Sequence, residues 1–266
     1  MYSIATLANT NSLDDLKIFL NTLQLFNNIL PDVYLYCDTY IDIINLEYGG
    51  KIYKKNALDI YDGLSRKTME SMSGTHFKTK WEDFMCEKMN LLEWAHETCE
   101  RVLFCDSDIC FMGPLPSIPE EFELGLSRHE IRSSDEKLYG IYNGGFVFSG
   151  NRTIPNRWRK ATHRSRYFEQ AALEDLVPQF KTYFFPTQNN YGWWRLVQGT
   201  ESIITLQKRW KVKDNIIYVN NLPLLSIHTH FKTKDIATKY FNEFVLGFIK
   251  DERLRKIIKI DFPSDY

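Results

Sequence analysis

No run of apolar residues in this chain of 266 approaches the roughly 20 that a membrane-spanning helix needs. An integral membrane protein of the helical kind is therefore excluded. The opening stretch, Met1-Tyr2-Ser3-Ile4-Ala5-Thr6-Leu7, lacks the basic segment, apolar core and small-residue cleavage site of a secretory leader. The expectation is a soluble, cytoplasmic protein without a membrane span. A surplus of either charge is also missing: 33 Lys and Arg face 34 Asp and Glu. No global field is available to hold nucleic acid or an anionic membrane, so any anionic ligand must be held locally. Cysteines are few, and Cys37, Cys86, Cys99, Cys105 and Cys110 form an odd set without paired zinc spacing. Most lie in apolar-patterned segments and read as reduced core thiols. Internal repeats, low-complexity tracts and interdomain linkers are absent too. The length then suits one domain over residues 1–266.

What is present alternates between strand and helix patterns. Tyr2 to Ala8 is a strand candidate, followed by the polar Asn9-Thr10-Asn11-Ser12 and a helix starting near Leu13. That helix shows a stripe of Leu16, Phe19, Leu20, Leu23 and Phe26, and Asp32 to Cys37 gives a second strand. Between Glu47 and Thr79 only Lys51 to Lys54 has strand character. A helical pattern returns from Lys80 to Cys99 and leads into Arg101-Val-Leu-Phe-Cys105, apolar enough to be a central strand covered on both faces. Three prolines between Gly113 and Pro119 force a surface connection. Beyond it come a strand at Glu123 to Ser127, a charged linker to Lys137, a strand at Ile141 to Ser149, and a helix between Pro155 and Leu176. The class is α/β.

The central apolar strand ends in Asp106-Ser107-Asp108, and the segment turns apolar again at Ile109-Cys110-Phe111. Buried, unpaired carboxylates cost several kcal/mol each, so a counter-charge is expected beside them. With one residue between them, both side chains point the same way if the chain is extended, which suits joint coordination of a hard cation. A strand end in an open α/β sheet is also where ligands commonly bind. Taken alone, an Asp-x-Asp spacing also fits two residues that merely solvate a strand end.

In its order of helix, apolar strand and Asp-x-Asp, the sequence resembles the nucleotide-diphospho-sugar glycosyltransferases of the GT-A fold. The likeness runs from Tyr2 to about Phe231. It implies a Rossmann-like mixed sheet flanked by helices, with residues 1–112 as the nucleotide-binding half and 113–266 as the donor-sugar and acceptor half. It also implies Mn²⁺ or Mg²⁺ held by the motif, Asp108 as a direct ligand, and Asp106 as a contact to ribose or metal. The donor implied is a nucleotide-diphosphate sugar, a uridine-diphosphate sugar foremost, giving up a hexosyl group to a hydroxyl-bearing glycan, protein or small molecule.

Further residues fall into place around that resemblance. Lys88 shares the apolar stripe of its helix with Phe84, Leu91, Leu92 and Ala95. Its ammonium either snorkels to water or pairs Asp106 or the donor diphosphate. In Tyr142-Asn143-Gly144-Gly145-Phe146, glycines inside a strand mark a bulge or the close approach of a ligand or another backbone. The resemblance implies that this Asn-Gly-Gly lines the donor-sugar pocket, with Asn143 on the hydroxyls. Glu169 and Gln170 stand where the family has an acidic and amide pair beneath the sugar, although Asp is commoner than Glu there. Glu169, Gln170 and Asn143 are thus the candidates for catalysis. His228 and His230 face one side of an extended strand. The resemblance to glycogenin-like members makes one of them the third metal ligand, and which one stays open. The glycine and Lys-Pro-Trp that usually follow are missing, leaving Lys232 and Lys234 to meet phosphate. The aromatic run Tyr183 to Trp194, with Asn189 inside it, reads as packing or as an acceptor wall.

Three rival functions fit less well. Phosphotransferases with an Asp-x-Asp nucleophile place it after the first strand, with Thr or Val where this chain has Cys110. Sugar-1-phosphate nucleotidyltransferases open with a glycine-rich loop, which Leu7 to Ser12 is not. A non-catalytic carbohydrate- or nucleotide-binding protein has little use for Lys88 beside a metal site. The expected reaction is metal-dependent glycosyl transfer, with retention favoured by the likeness of the late histidine pair to retaining families.

Overall fold

The computed structural model describes residues 2–199 and 202–258; the rest of the domain expected over 1–266 lies outside the described residues. The strand-helix pattern is realised as β1 (Ser3–Ala8), α1 (Leu13–Phe26), β2 (Val33–Cys37) and β3 (Ile52–Asn56). Next come α2 (Arg66–Ser71), α3 (Lys80–Ala95), β4 (Val102–Cys105), β5 (Ile109–Phe111) and β6 (Leu124–Arg128). The middle of the chain holds α4 (Ser133–Tyr139), β7 (Tyr142–Ser149), α5 (Ile154–Thr162), α6 (Phe168–Ala171) and β8 (Thr182–Phe185). Then follow β9 (Tyr191–Gly192), α7 (Trp194–Val197), α8 (Ile203–Arg209) and the small meander β10 (Trp210–Lys213), β11 (Ile216–Val219) and β12 (Leu222–Pro223). The described chain closes with β13 (Ser226–His228), α9 (Ile236–Phe248) and α10 (Glu252–Ile258).

Seven strands form one mixed sheet in the order β3-β2-β1-β4-β7-β6-β8, parallel from β3 to β4 and turned antiparallel at β7. Strands from both expected halves share this sheet. β4 is buried along its whole length because its neighbours cover both faces. Val102 and Phe104 pack with Met89, Leu92 and Trp158 under α3 and α5, while Leu103 and Cys105 pack with Leu16, Phe19 and Leu20 of α1. At its amino end α3 is locked by a capping box: the Glu82 amide donates to Thr79 Oγ1, and Thr79 N–H donates to the Glu82 carboxylate. No helix among the described residues is long and apolar enough to cross a membrane.

Three local readings shift. Helix α3 ends at Ala95 rather than Cys99, because His96 to Thr98 close as turns, with Glu97 N–H donating to Trp94 O and Thr98 N–H to Ala95 O. The charged linker before Lys137 holds α4, which buries none of its residues and so carries no apolar stripe to reveal it. The single helix expected between Pro155 and Leu176 is broken into α5 and α6, and Phe168, the first residue of α6, has a positive φ of 40°.

Candidate active site

At the carboxyl end of β4 the chain leaves the large sheet and enters a second, three-stranded sheet of order β5-β13-β9. The turn that joins the two is Asp106-Ser107-Asp108, with Ile109 N–H donating back to Asp106 O. The carboxylates therefore converge through a turn, not along an extended strand as the spacing suggested. β13 runs antiparallel to β5 with His228 opposite Ile109, and Thr229 N–H donates to Asp108 O. That register carries the late histidines to the motif across more than a hundred intervening residues.

One oxygen of each aspartate and one nitrogen of His228 lie within 4.8 Å of one another. His228 Nε2 is 3.0 Å from Asp108 Oδ1 and 3.8 Å from Asp106 Oδ2. His230 also reaches the motif, with Nε2 at 3.3 Å from Asp108 Oδ2, but its Nδ1 lies 2.7 Å from Asp15 Oδ2 on α1. The Asp108 carboxylate raises the His230 pKa to about 9, helped by Asp15. Burial works to raise the Asp108 pKa, and the two imidazoles outweigh it, holding the carboxyl well below its usual range.

Lys88 does not snorkel. Its side chain is 2% exposed, and Nζ donates to Glu169 Oε1 at 3.0 Å and to Gly144 O at 3.2 Å, with Asp106 Oδ1 at 3.3 Å. Burial alone would lower the Lys88 pKa, but Asp106 and Glu169 reverse this and raise it. Gly144 and Gly145 leave room for the cluster. A Cβ on Gly144 would sit 2.7 Å from Glu169 Oε1, and one on Gly145 would collide with the Asp106 carboxylate and the His228 ring. The glycine pair lies where the β6–β7 register shifts, between Val147 opposite Leu126 and Tyr142 opposite Arg128, so the bulge and the close approach of neighbouring side chains coincide there.

The Asn143 amide is engaged internally: Oδ1 accepts from Gly145 N–H at 3.0 Å, and Nδ2 lies 3.1 Å from His129 Nε2. Gln170 is half-buried and donates from Nε2 to Tyr139 O at 2.8 Å. Asn189 is buried, with its carbonyl accepting from Ser226 Oγ, whereas Lys232 is exposed and pairs with Asp14 at 2.8 Å. In the aromatic run, Trp194 packs edge-on against His228 with ring centroids 5.0 Å apart.

Reasoning from sequence missed two residues here. Asp15 lies in the first turn of α1, where an acid is favoured by the helix dipole alone and so carries no distinctive signal. Asn190 sits one place beyond the Asn189 that was singled out, and its Oδ1 lies 3.1 Å from His228 Nδ1. A buried amide next to a buried imidazole leaves no periodicity in the sequence.

The donor set of two carboxylates and an imidazole suits Mn²⁺. The charge balance agrees: Asp15, Asp106, Asp108 and Glu169 outnumber Lys88 and protonated His230 by two. A divalent cation would cancel that excess.

No family model matches the chain, and no curated protein is similar to it in sequence. Solved structures are similar in fold. A galactosyltransferase, LgtC, in complex with donor and acceptor sugar analogues superposes with a TM-score of 0.55 at 12% identity over 96% of this chain and 99% of that one. The glycosyltransferase GlyE of Streptococcus pneumoniae gives 0.53 at 14% identity, over 97% of this chain and 63% of its own. Mouse xyloside xylosyltransferase 1 gives 0.53 at 10% identity over 86% and 97%. The chain has the GT-A fold that these glycosyltransferases share.

Proposed function

We propose that the protein is a metal-dependent glycosyltransferase, moving a hexosyl group from a nucleotide-diphosphate sugar, a uridine-diphosphate sugar foremost, to a hydroxyl acceptor. The observation that carries this reading is the convergence of Asp106, Asp108 and His228 at the end of β4, on a fold whose solved neighbours transfer sugars. Asp106, Asp108 and His228 are assigned the metal. His230 is not, because both of its nitrogens face carboxylates and act as donors. Mn²⁺ or Mg²⁺ bound there would supply Lewis-acid stabilisation of the departing diphosphate.

The remaining roles follow from chemistry this chain already displays. Lys88, fixed by Glu169, holds the Asp106 carboxylate in place and adds positive charge beside the donor phosphates. Glu169 is thus a positioning group for Lys88. Gln170 and the glycine edge at Gly144 and Gly145 border the space for the sugar. Lys232 reaches a phosphate only by leaving Asp14. Residues 1–112 would cradle the nucleotide, and 113–266 the sugar and acceptor. The carboxylates nearest the metal cluster, Glu169 and Asp15, are held by Lys88 and His230. That leaves neither as a ready base for inversion, which supports retention. Free thiols at all five cysteines suit a reducing, cytoplasmic setting.

A panel of sugar nucleotides tests the assignment, read as thermal stabilisation and donor hydrolysis with and without Mn²⁺. At least one donor should stabilise the protein only with the metal, and its product should keep the donor's anomeric configuration by NMR. If no member of the panel stabilises the protein or is hydrolysed in the presence of Mn²⁺, the assignment fails.

A further inference from the structure

Behind the candidate metal cluster lies a chain of buried amides and a second buried imidazole, whose hydrogen-bond directions can be worked out from a single backbone group. Gly145 N–H can only donate, and it donates to the side chain of Asn143 at 3.0 Å, so the atom facing it is Oδ1. Asn190 also approaches that oxygen at 3.0 Å and must present Nδ2, which donates in addition to Ser127 Oγ at 2.8 Å. The Asn190 atom left facing His228 Nδ1, at 3.1 Å, is therefore Oδ1, an acceptor. Nδ1 of His228 then carries the proton, and the lone pair of a neutral ring sits on Nε2, which faces Asp106 and Asp108.

The other end of the chain agrees. With Oδ1 of Asn143 occupied, its Nδ2 donates to His129 Nε2 at 3.1 Å, and His129 Nδ1 donates to Gly140 O at 3.3 Å. His129 can serve as acceptor only while neutral, and it lies buried. Trp194 is wedged edge-on between the two imidazoles, 5.3 Å from His129 and 5.0 Å from His228 by ring centroids, so neither ring is free to turn. The same Gly145 sets the whole arrangement: its carbonyl accepts from Asp106 N–H, its N–H orients Asn143, and its missing side chain makes room for His228.

We propose that Asn190, oriented by Asn143, is a positioning residue that selects the His228 tautomer with a bare Nε2 and so prepares the imidazole to bind the metal. Replacing the partner that orients a liganding imidazole typically weakens a metal site 10- to 100-fold. This inference rests on the reading of His228 as a metal ligand, but the tautomer can be measured without any metal.

The test compares wild type, Asn190→Leu, Asn190→Asp and His228→Ala. Long-range ¹H–¹⁵N correlation on the metal-free protein reports whether Nδ1 of His228 carries a proton. Competition of free Mn²⁺, read by electron paramagnetic resonance, reports affinity. The proposal expects Nδ1–H in wild type and in Asn190→Asp, which keeps an acceptor, with near-wild-type Mn²⁺ affinity in both. It expects loss of that tautomer preference and roughly 10- to 100-fold weaker Mn²⁺ binding in Asn190→Leu. A wild-type His228 with an unprotonated Nδ1 overturns the inference, as does wild-type Mn²⁺ affinity in Asn190→Leu. Should Asn190→Leu fail to fold, an unprotonated Nδ1 in Asn190→Asp overturns it equally. Unchanged Mn²⁺ affinity in His228→Ala would overturn the ligand assignment instead, and the nitrogen spectrum would still decide the tautomer.

Discussion

Replacing Lys88 by methionine keeps most of the side-chain volume and removes only the charge, which isolates the ionic part of the site. In the native protein both Lys88 and Glu169 have side chains 2% exposed, 3.0 Å apart. Without the ammonium, Glu169 becomes a buried carboxylate with no counterion, and Gly144 O loses its donor. Breaking a buried pair by removing one partner costs about 3–5 kcal/mol. Glu169 escapes part of that cost by taking up a proton, so in Lys88→Met its folded pKa rises above the unfolded value of about 4.3. In the interval between those two pKa values the native state binds more protons than the unfolded one. Stability therefore grows as pH falls through that interval and is lost as pH rises. Urea unfolding at neutral pH should show the full deficit, and at about pH 5 a smaller one. The double variant Lys88→Met/Glu169→Gln should recover much of the loss at neutral pH, because a neutral amide needs no counterion. The reasoning is refuted if Lys88→Met loses less than about 1 kcal/mol, the range of a surface pair, or if the double variant is no more stable than the single one.

Other expectations follow from named contacts. Gly145→Ala adds a methyl group where the Asp106 carboxylate and the His228 ring already lie, so Mn²⁺ affinity should fall at least tenfold in a competition assay while β7 still folds. Burial holds the His129 pKa down to about 3, far below its unfolded value. The unfolded chain therefore binds a proton that the native one refuses, and stability present above about pH 6.5 is lost as pH falls, by up to about 1.4 kcal/mol per unit. Denaturation curves for His129→Leu should show a shallower acid-side slope than wild type.

The chemistry-bearing positions were legible where a polar group interrupts an apolar pattern. Asp106, Asp108, Lys88 and the glycines at 144 and 145 each break a run whose periodicity is otherwise plain, and each proved to touch the cluster. The central strands were legible too, since β4 and β7 are buried throughout and β4 reads as a continuous apolar run. Helix α4 was not, because a helix that buries nothing has no stripe. Nor was the turn at Ser107, since spacing alone does not separate a turn from an extended pair. Asp15 and Asn190 act through contacts with residues far along the chain, 215 positions away for Asp15 and His230. Pairings of that kind are set by sheet register and leave no local signal.

The proposed metal-dependent transfer stands or falls most directly on calorimetric titration of a donor nucleotide-sugar, with and without Mn²⁺, into wild type and Asp108→Ala. Asp108 lies at the junction of the two sheets, and among the described residues its carboxylate pairs with His228 and His230. Its removal should therefore leave the core intact by thermal unfolding. Wild type should bind the donor with Mn²⁺ and at least tenfold more weakly without it, whereas Asp108→Ala should bind equally weakly in both conditions. Equal, metal-enhanced affinity in a well-folded Asp108→Ala would contradict the account and reduce the Asp-x-Asp to the polar end of a strand.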